Sequence, residues 1–193
     1  MSTMPMSGQT WLGAAASFLA MWVVMMVAMM LPSLVPTLWR YRQAGHGPMT
    51  ALVGVGYFAV WTVFGMFAYL LGVALPRPAP IAVGVVVLMA GLLQFTAWKA
   101  RHLACCRDAR TRGRTAWHHG LSLGLHCSQC CLGLMAILLV LGVMDLRAMA
   151  IVAAAITVER LVPAPAVERV ARATGAVALG AGLLLIARAA GLG

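Results

Sequence analysis

From Trp11 to Leu31 the chain runs without a single charged residue, and that stretch restricts the fold more than any other feature. An apolar run of about 18 or more residues is long enough to cross the hydrocarbon core of a bilayer as a helix. Mostly apolar stretches recur from Thr50 to Leu75, Ile81 to Trp98, Gly120 to Val143, Leu146 to Leu161 and Thr174 to Ala190. Of the 193 residues 63% are apolar and 9% charged, against roughly 25% charged in an ordinary soluble domain. Too little polar surface remains to cover a water-soluble globule. In lipid every backbone polar group must be satisfied inside the protein, which a helix does within its own segment. The expected fold class is therefore all-α: a polytopic membrane helical bundle of about six transmembrane helices, one domain over residues 1–193.

Proline sets several of the boundaries, because it removes a backbone donor and restricts the residue before it. Pro32 and Pro36 are expected to close the first span and Pro76 to Pro78 the second, while Pro80 suits the first turn of the third. No positively charged leader precedes the first apolar run, so it is expected to be retained as a membrane helix. With six spans, all but Arg77, Arg147 and Arg188 of the 14 basic residues fall on one side. The positive-inside rule makes that side cytoplasmic, puts both termini outside, and implies a bacterial inner membrane with the lipid bilayer as the main partner. A homo-oligomer or a membrane complex partner is compatible with this reading.

A net charge of +10 would suggest nucleic acid if the basic residues formed a patch on a polar fold. They sit between apolar segments instead, and no basic face interleaved with aromatics tracks a phosphate backbone. Nucleic acid is set aside. Phosphate loops, dinucleotide-binding glycine patterns, His-Glu-x-x-His and paired intramembrane carboxylates are all missing from the sequence.

Three features carry chemistry. In His126-Cys127-Ser128-Gln129-Cys130-Cys131, helical spacing puts all three thiols on one broad face, with Met135 a turn beyond. Thiolates are preferred ligands of copper(I) and zinc(II), and His126 can add an imidazole. Just beyond the third span lie His102, Cys105 and Cys106. If that helix continues, His102 and Cys106 share a face and can complete a four-ligand site with the thiols. His118 and His119 read as loop residues. The third feature is the methionine run Met21, Met25, Met26, Met29 and Met30, in which Met25, Met29 and Met30 are candidate thioether ligands as well as adaptable packers. Polar groups inside spans tend to mark sites, which singles out Gln94 and Glu159. The plain reading of Glu159 is a pair with Arg160. Asp145 and Arg147 suit a turn cap, and Gly54, Gly56, Gly65 and Gly72 suit close helix packing.

Taken in order, these blocks resemble a bacterial family of predicted metal-binding integral membrane proteins, a domain-of-unknown-function family. The resemblance rests on Met21-Trp22 through Ala28-Met29-Met30-Leu31-Pro32-Ser33, Gly56-Tyr57 with Trp61, and Gln94 with Lys99. It continues through Cys105-Cys106-Arg107, Gly124, Cys127-x-x-Cys130-Cys131, Leu134-Met135, Gly142-Val143-Met144 and Glu159. It implies a multi-span protein with a metal site and supplies no reaction. The family usually carries Cys where this chain has His102, which keeps a metal ligand and removes a redox-active thiol. It often carries Trp at Leu132 and Lys at Arg160.

The leading expectation is a membrane protein that binds a transition metal ion, copper(I) or zinc(II), for metal handling or in a membrane metalloprotein assembly. Cys127, Cys130 and Cys131 are the inner ligands, with His102, Cys106 and His126 as candidates for the rest. Cys105, Met25, Met29, Met30 and Glu159 are secondary. One alternative is a thiol-disulfide oxidoreductase using Cys127 and Cys130, which the cytoplasmic placement disfavours. Another is a metal permease using the methionine stripe.

Overall fold

The structure, a computed structural model, describes residues 11–43, 47–76, 78–107, 115–142 and 145–191. Among these residues the chain is helical and free of strands. Seven helices follow one another: α1 (Trp11–Tyr41), α2 (Thr50–Ala74), α3 (Pro80–Leu93), α4 (Ala97–Arg107), α5 (Ala116–Leu141), α6 (Leu146–Leu161) and α7 (Ala164–Ala189). At Cys105 and Cys106 only the backbone is described.

Four of these helices, α1, α2, α5 and α7, are long and apolar enough to cross a membrane. The expected third span is a bent pair, with α3 and α4 meeting at 68°. The expected fifth is α6, whose bounds match the sequence reading but whose 16 residues fall short of the about 20 a perpendicular span needs. Length and composition thus give four spans, or five with the bent pair, where the sequence suggested six.

Two boundaries moved for identifiable reasons. Helix α1 passes through Pro32 and Pro36 to Tyr41, and the Ser33 hydroxyl donates to the Met30 carbonyl at 2.9 Å. Buried Leu34 and Tyr41 hold the extension against the bundle. Helix α7 starts at Ala164, with Pro165 in its first turn, ten residues before the apolar run. Its first turns are polar, with an exposed Arg172–Glu168 pair one turn apart.

The break between α3 and α4 has its own chemistry. Gln94, Phe95 and Thr96 donate to carbonyls three residues back, tightening the end of α3. The Thr96 hydroxyl donates to the Leu93 carbonyl at 2.7 Å and accepts from the Lys99 amide at 3.4 Å. One side chain so closes α3 and caps the next helix.

Helices pack where their backbones can touch, as expected when burying apolar surface gives little net drive in lipid. Helix α2 lies along α5: a methyl added to Gly120 would overlap the Val53 carbonyl, and one on Gly124 would stand 3.0 Å from the Tyr57 oxygen. Helix α3 lies along α7 in the same way, where a methyl on Gly91 would be 2.9 Å from the Leu179 nitrogen and one on Gly182 would be 2.7 Å from that of Leu88. Of the four glycines the sequence assigned to packing, Gly56 and Gly65 do pack closely, while Gly54 and Gly72 face open space. Outward faces are apolar; Phe67 and Val177, for example, are 68% and 73% exposed.

The α2–α5 contact yields a paired expectation. Gly120→Ala should destabilise the protein by about 1–3 kcal/mol through forced separation of the helices. Gly72→Ala, with nothing to displace, should be neutral or stabilise by up to about 1 kcal/mol. Thermal unfolding in detergent micelles, followed by circular dichroism, reads both; equal shifts would remove the close-approach argument.

Candidate metal centre

Helix α5 carries the thiols at the middle of the bundle, where α1, α2, α3, α4 and α6 all reach it or its neighbours. Cys127, Cys130 and Cys131 are free and fully or almost fully buried. The Cys130 thiol donates to the Cys127 carbonyl at 3.3 Å and lies 3.6 Å from the Cys131 sulfur. Around them the four buried methionines of α1, Met25, Met26, Met29 and Met30, share one continuous core cluster with Met135 of α5. Met21 is only half-buried and stands outside that cluster. Two sequence features separated by about a hundred residues therefore belong to one buried cluster.

Polar groups brace this soft core. The Tyr57 hydroxyl of α2 and the Cys127 sulfur are 2.9 Å apart, and either can donate. From α6 the Arg160 guanidinium donates to the Cys130 sulfur at 3.6 Å and to the Ser33 hydroxyl at 3.3 Å. Its charge also acts on Cys127, Cys131 and Tyr57. Lys99, buried on α4, makes a 2.8 Å ion pair with Glu159 of α6 and donates to the Cys130 carbonyl at 2.7 Å. The Gln94 amide donates to the other Glu159 oxygen at 3.2 Å. The expected Glu159–Arg160 pair is thus corrected: consecutive helical residues point in different directions, Glu159 towards Lys99 and Arg160 towards the thiols.

His102 and His126 come together at the α4–α5 contact, with ring centroids 5.9 Å apart. His118 and His119 belong to the first turn of α5 and are not loop residues; His119 is buried and stacks on Tyr41. The side chains of Cys105 and Cys106, named as candidate ligands, lie outside the described residues. Asp145 caps α6 by accepting from the amides of Arg147 and Ala148. Tyr57 and Ser33 entered the sequence reading only within the family blocks, and Arg160 only as a partner for Glu159, none of them as a site residue. A tyrosine inside an apolar span was the available signal for the first, since polar groups are rare there.

Among the described residues no three His, Cys, Asp or Glu side chains are arranged as a cage for a metal ion. Those residues alone therefore do not build a preformed tetrahedral site of the zinc type. Copper(I) is softer, and the buried thioethers extend the donor set available to it.

The Lys99–Glu159 pair invites a direct test. Glu159→Gln leaves a buried ammonium without its counter-charge and should destabilise by about 3–5 kcal/mol. A Lys99→Met/Glu159→Met double substitution should recover much of that loss, since an apolar replacement strands no charge. Denaturant unfolding in micelles distinguishes them, and a double variant as unstable as the single would show that the charges were not the cause.

A search of curated proteins and a search of solved structures return no match to this chain. A family model does match: PpoB2, described as a copper chaperone, over residues 19–185. That range includes the methionine run, the thiols, both bundle histidines and the Lys99–Glu159 pair, so the chain belongs to the PpoB2 copper chaperone family.

Proposed function

We propose that this protein is an integral membrane copper(I) chaperone that holds the ion as cargo between the thiolates of Cys127, Cys130 and Cys131 and the thioethers of α1. One observation carries the reading. The only three thiols whose side chains are described, and four buried methionines from a distant helix, belong to one buried cluster. Soft donors select copper(I) over harder ions. Thiols alone would pack as small hydrophobes; a guanidinium donating to one of them and a tyrosine hydroxyl on another are not what inert packing needs.

The surrounding residues have separable tasks. The three thiolates with one copper(I) carry a net negative charge, and Arg160 offsets part of it in a low-dielectric setting where Coulomb forces are strong. Lys99 fixes the backbone at Cys130 through its carbonyl, and Glu159 and Gln94 fix Lys99. Such outer contacts commonly tune metal affinity by about 10–100-fold. In this reading the apolar outer faces meet lipid.

Substituting Cys127, Cys130 and Cys131 by Ser should remove the tight, sulfur-ligated copper, lowering affinity by more than about 100-fold. Anaerobic competition against a chromophoric copper(I) chelator measures this; unchanged affinity would refute the thiol site. Met26→Leu/Met30→Leu conserves volume and should cost less than about 1.5 kcal/mol per site in stability. It should nonetheless weaken copper(I) several-fold, and an unaltered affinity would reduce the methionines to packing.

A further inference from the structure

The geometry points to a second copper(I) site, formed by the imidazoles of His102 on α4 and His126 on α5, distinct from the thiol cluster and one helical turn from Cys130. It rests on the copper reading above.

Both rings are half-buried and approach each other, with their planes at 38°. The Nδ1 atoms of both are buried and have no hydrogen-bond partner among the described residues. Buried polar atoms are nearly always paired, and each exception calls for a cause; leaving one unsatisfied costs about 1–3 kcal/mol. Two such atoms on adjoining rings of different helices share one economical explanation, which is a shared ion. With metal–nitrogen bonds of about 2.0 Å, two imidazoles on one ion place their centroids from about 5 Å apart at a tetrahedral angle to about 6.3 Å apart in a linear arrangement. The observed separation is 5.9 Å.

The surroundings suit copper(I) better than a divalent ion. No carboxylate is grouped with the two rings in a metal cage among the described residues, and a divalent ion would need further charge or ligands that a two-imidazole site lacks. Copper(I) accepts two neutral nitrogen donors. Trp98 lies against His102 with ring centroids 4.6 Å apart, and an aromatic face shields one side of the site from solvent. The position is set by the same Thr96 cap that bends the chain: it starts α4 so that Lys99 and His102, three residues apart and on one side of the helix, both turn to α5. On α5, His126 and Cys130 are four apart and likewise neighbours.

The test uses the full chain in lipid nanodiscs, loaded anaerobically with chelator-buffered copper(I), with copper per chain and copper K-edge X-ray absorption as readouts. Wild type should take up a second equivalent with nitrogen scatterers beyond the sulfur-bound one. His102→Gln and His126→Gln, each alone, should lose that equivalent and keep the sulfur-bound ion, because two-coordinate binding needs both rings. The Cys127→Ser/Cys130→Ser/Cys131→Ser variant should keep only the nitrogen-ligated ion. A wild-type spectrum with sulfur scatterers alone at full loading would overturn the histidine site while leaving the thiol reading intact, and it does so even where a variant fails to fold. Retention of all copper by the serine variant, with loss in either Gln variant, would instead overturn the thiol reading and sustain this one.

Discussion

One ammonium group, Lys99 Nζ, binds three helices together in the middle of the bundle. It stands on α4, pairs with Glu159 of α6 and donates to a carbonyl of α5. Such a charge is expensive to remove from water and tolerable only when fully matched. The matching fixes where α4 can lie, so α3 must end where it does and the chain must turn at Thr96. It also takes up the acidic side chain of α6, which leaves Arg160, the next residue, directed at the thiols. The candidate metal centre is in this sense a consequence of how a buried lysine is neutralised.

Around that anchor, charge and softness are segregated. The hard groups, Lys99, Glu159 and Gln94, pair with one another and with a backbone carbonyl. The polarisable sulfurs lie in an apolar interior with a hydroxyl and a guanidinium at its edge. Water and hard cations find little to bind among thioethers and neutral thiols, whereas copper(I) gains sulfur donors without competing for hydration. A protein with 9% charged residues can assemble such a centre because its few charges are spent locally.

Much of this was legible in the sequence because helical spacing is a strong constraint. The shared face of the three thiols and the methionine stripe follow from period, and Glu159 and Gln94 stand out by polarity within apolar stretches, although their burial does not follow from it. Less legible was what depends on partners distant in sequence. Glu159 had a basic neighbour at Arg160, and nothing local indicates that Lys99, at the edge of a polar stretch, turns inward instead. Pro32 and Pro36 read as stops, since a helix end and a proline held inside a packed helix look alike until the burial of Leu34 and Tyr41 is known. Thr96 read as part of a continuous span, because hydropathy averages over a single capping residue. The polar first turns of α7 were lost for the opposite reason: they are helical without being apolar.

The arrangement of donors also bears on why a chaperone would keep more than one kind. Tight sulfur ligation retains copper(I) against the surrounding thiol pool but makes release slow, because most affinity is expressed in the dissociation rate. Neutral imidazoles bind the same ion more weakly and bring no charge with them. Placed a turn apart on α5, the two donor classes share one rigid helix whose register against α2 is set by Gly120 and Gly124. Close backbone packing there leaves no slack for the thiols to drift relative to Tyr57. Glycine contacts remote from the thiols therefore hold α5 where Cys127 meets the Tyr57 hydroxyl.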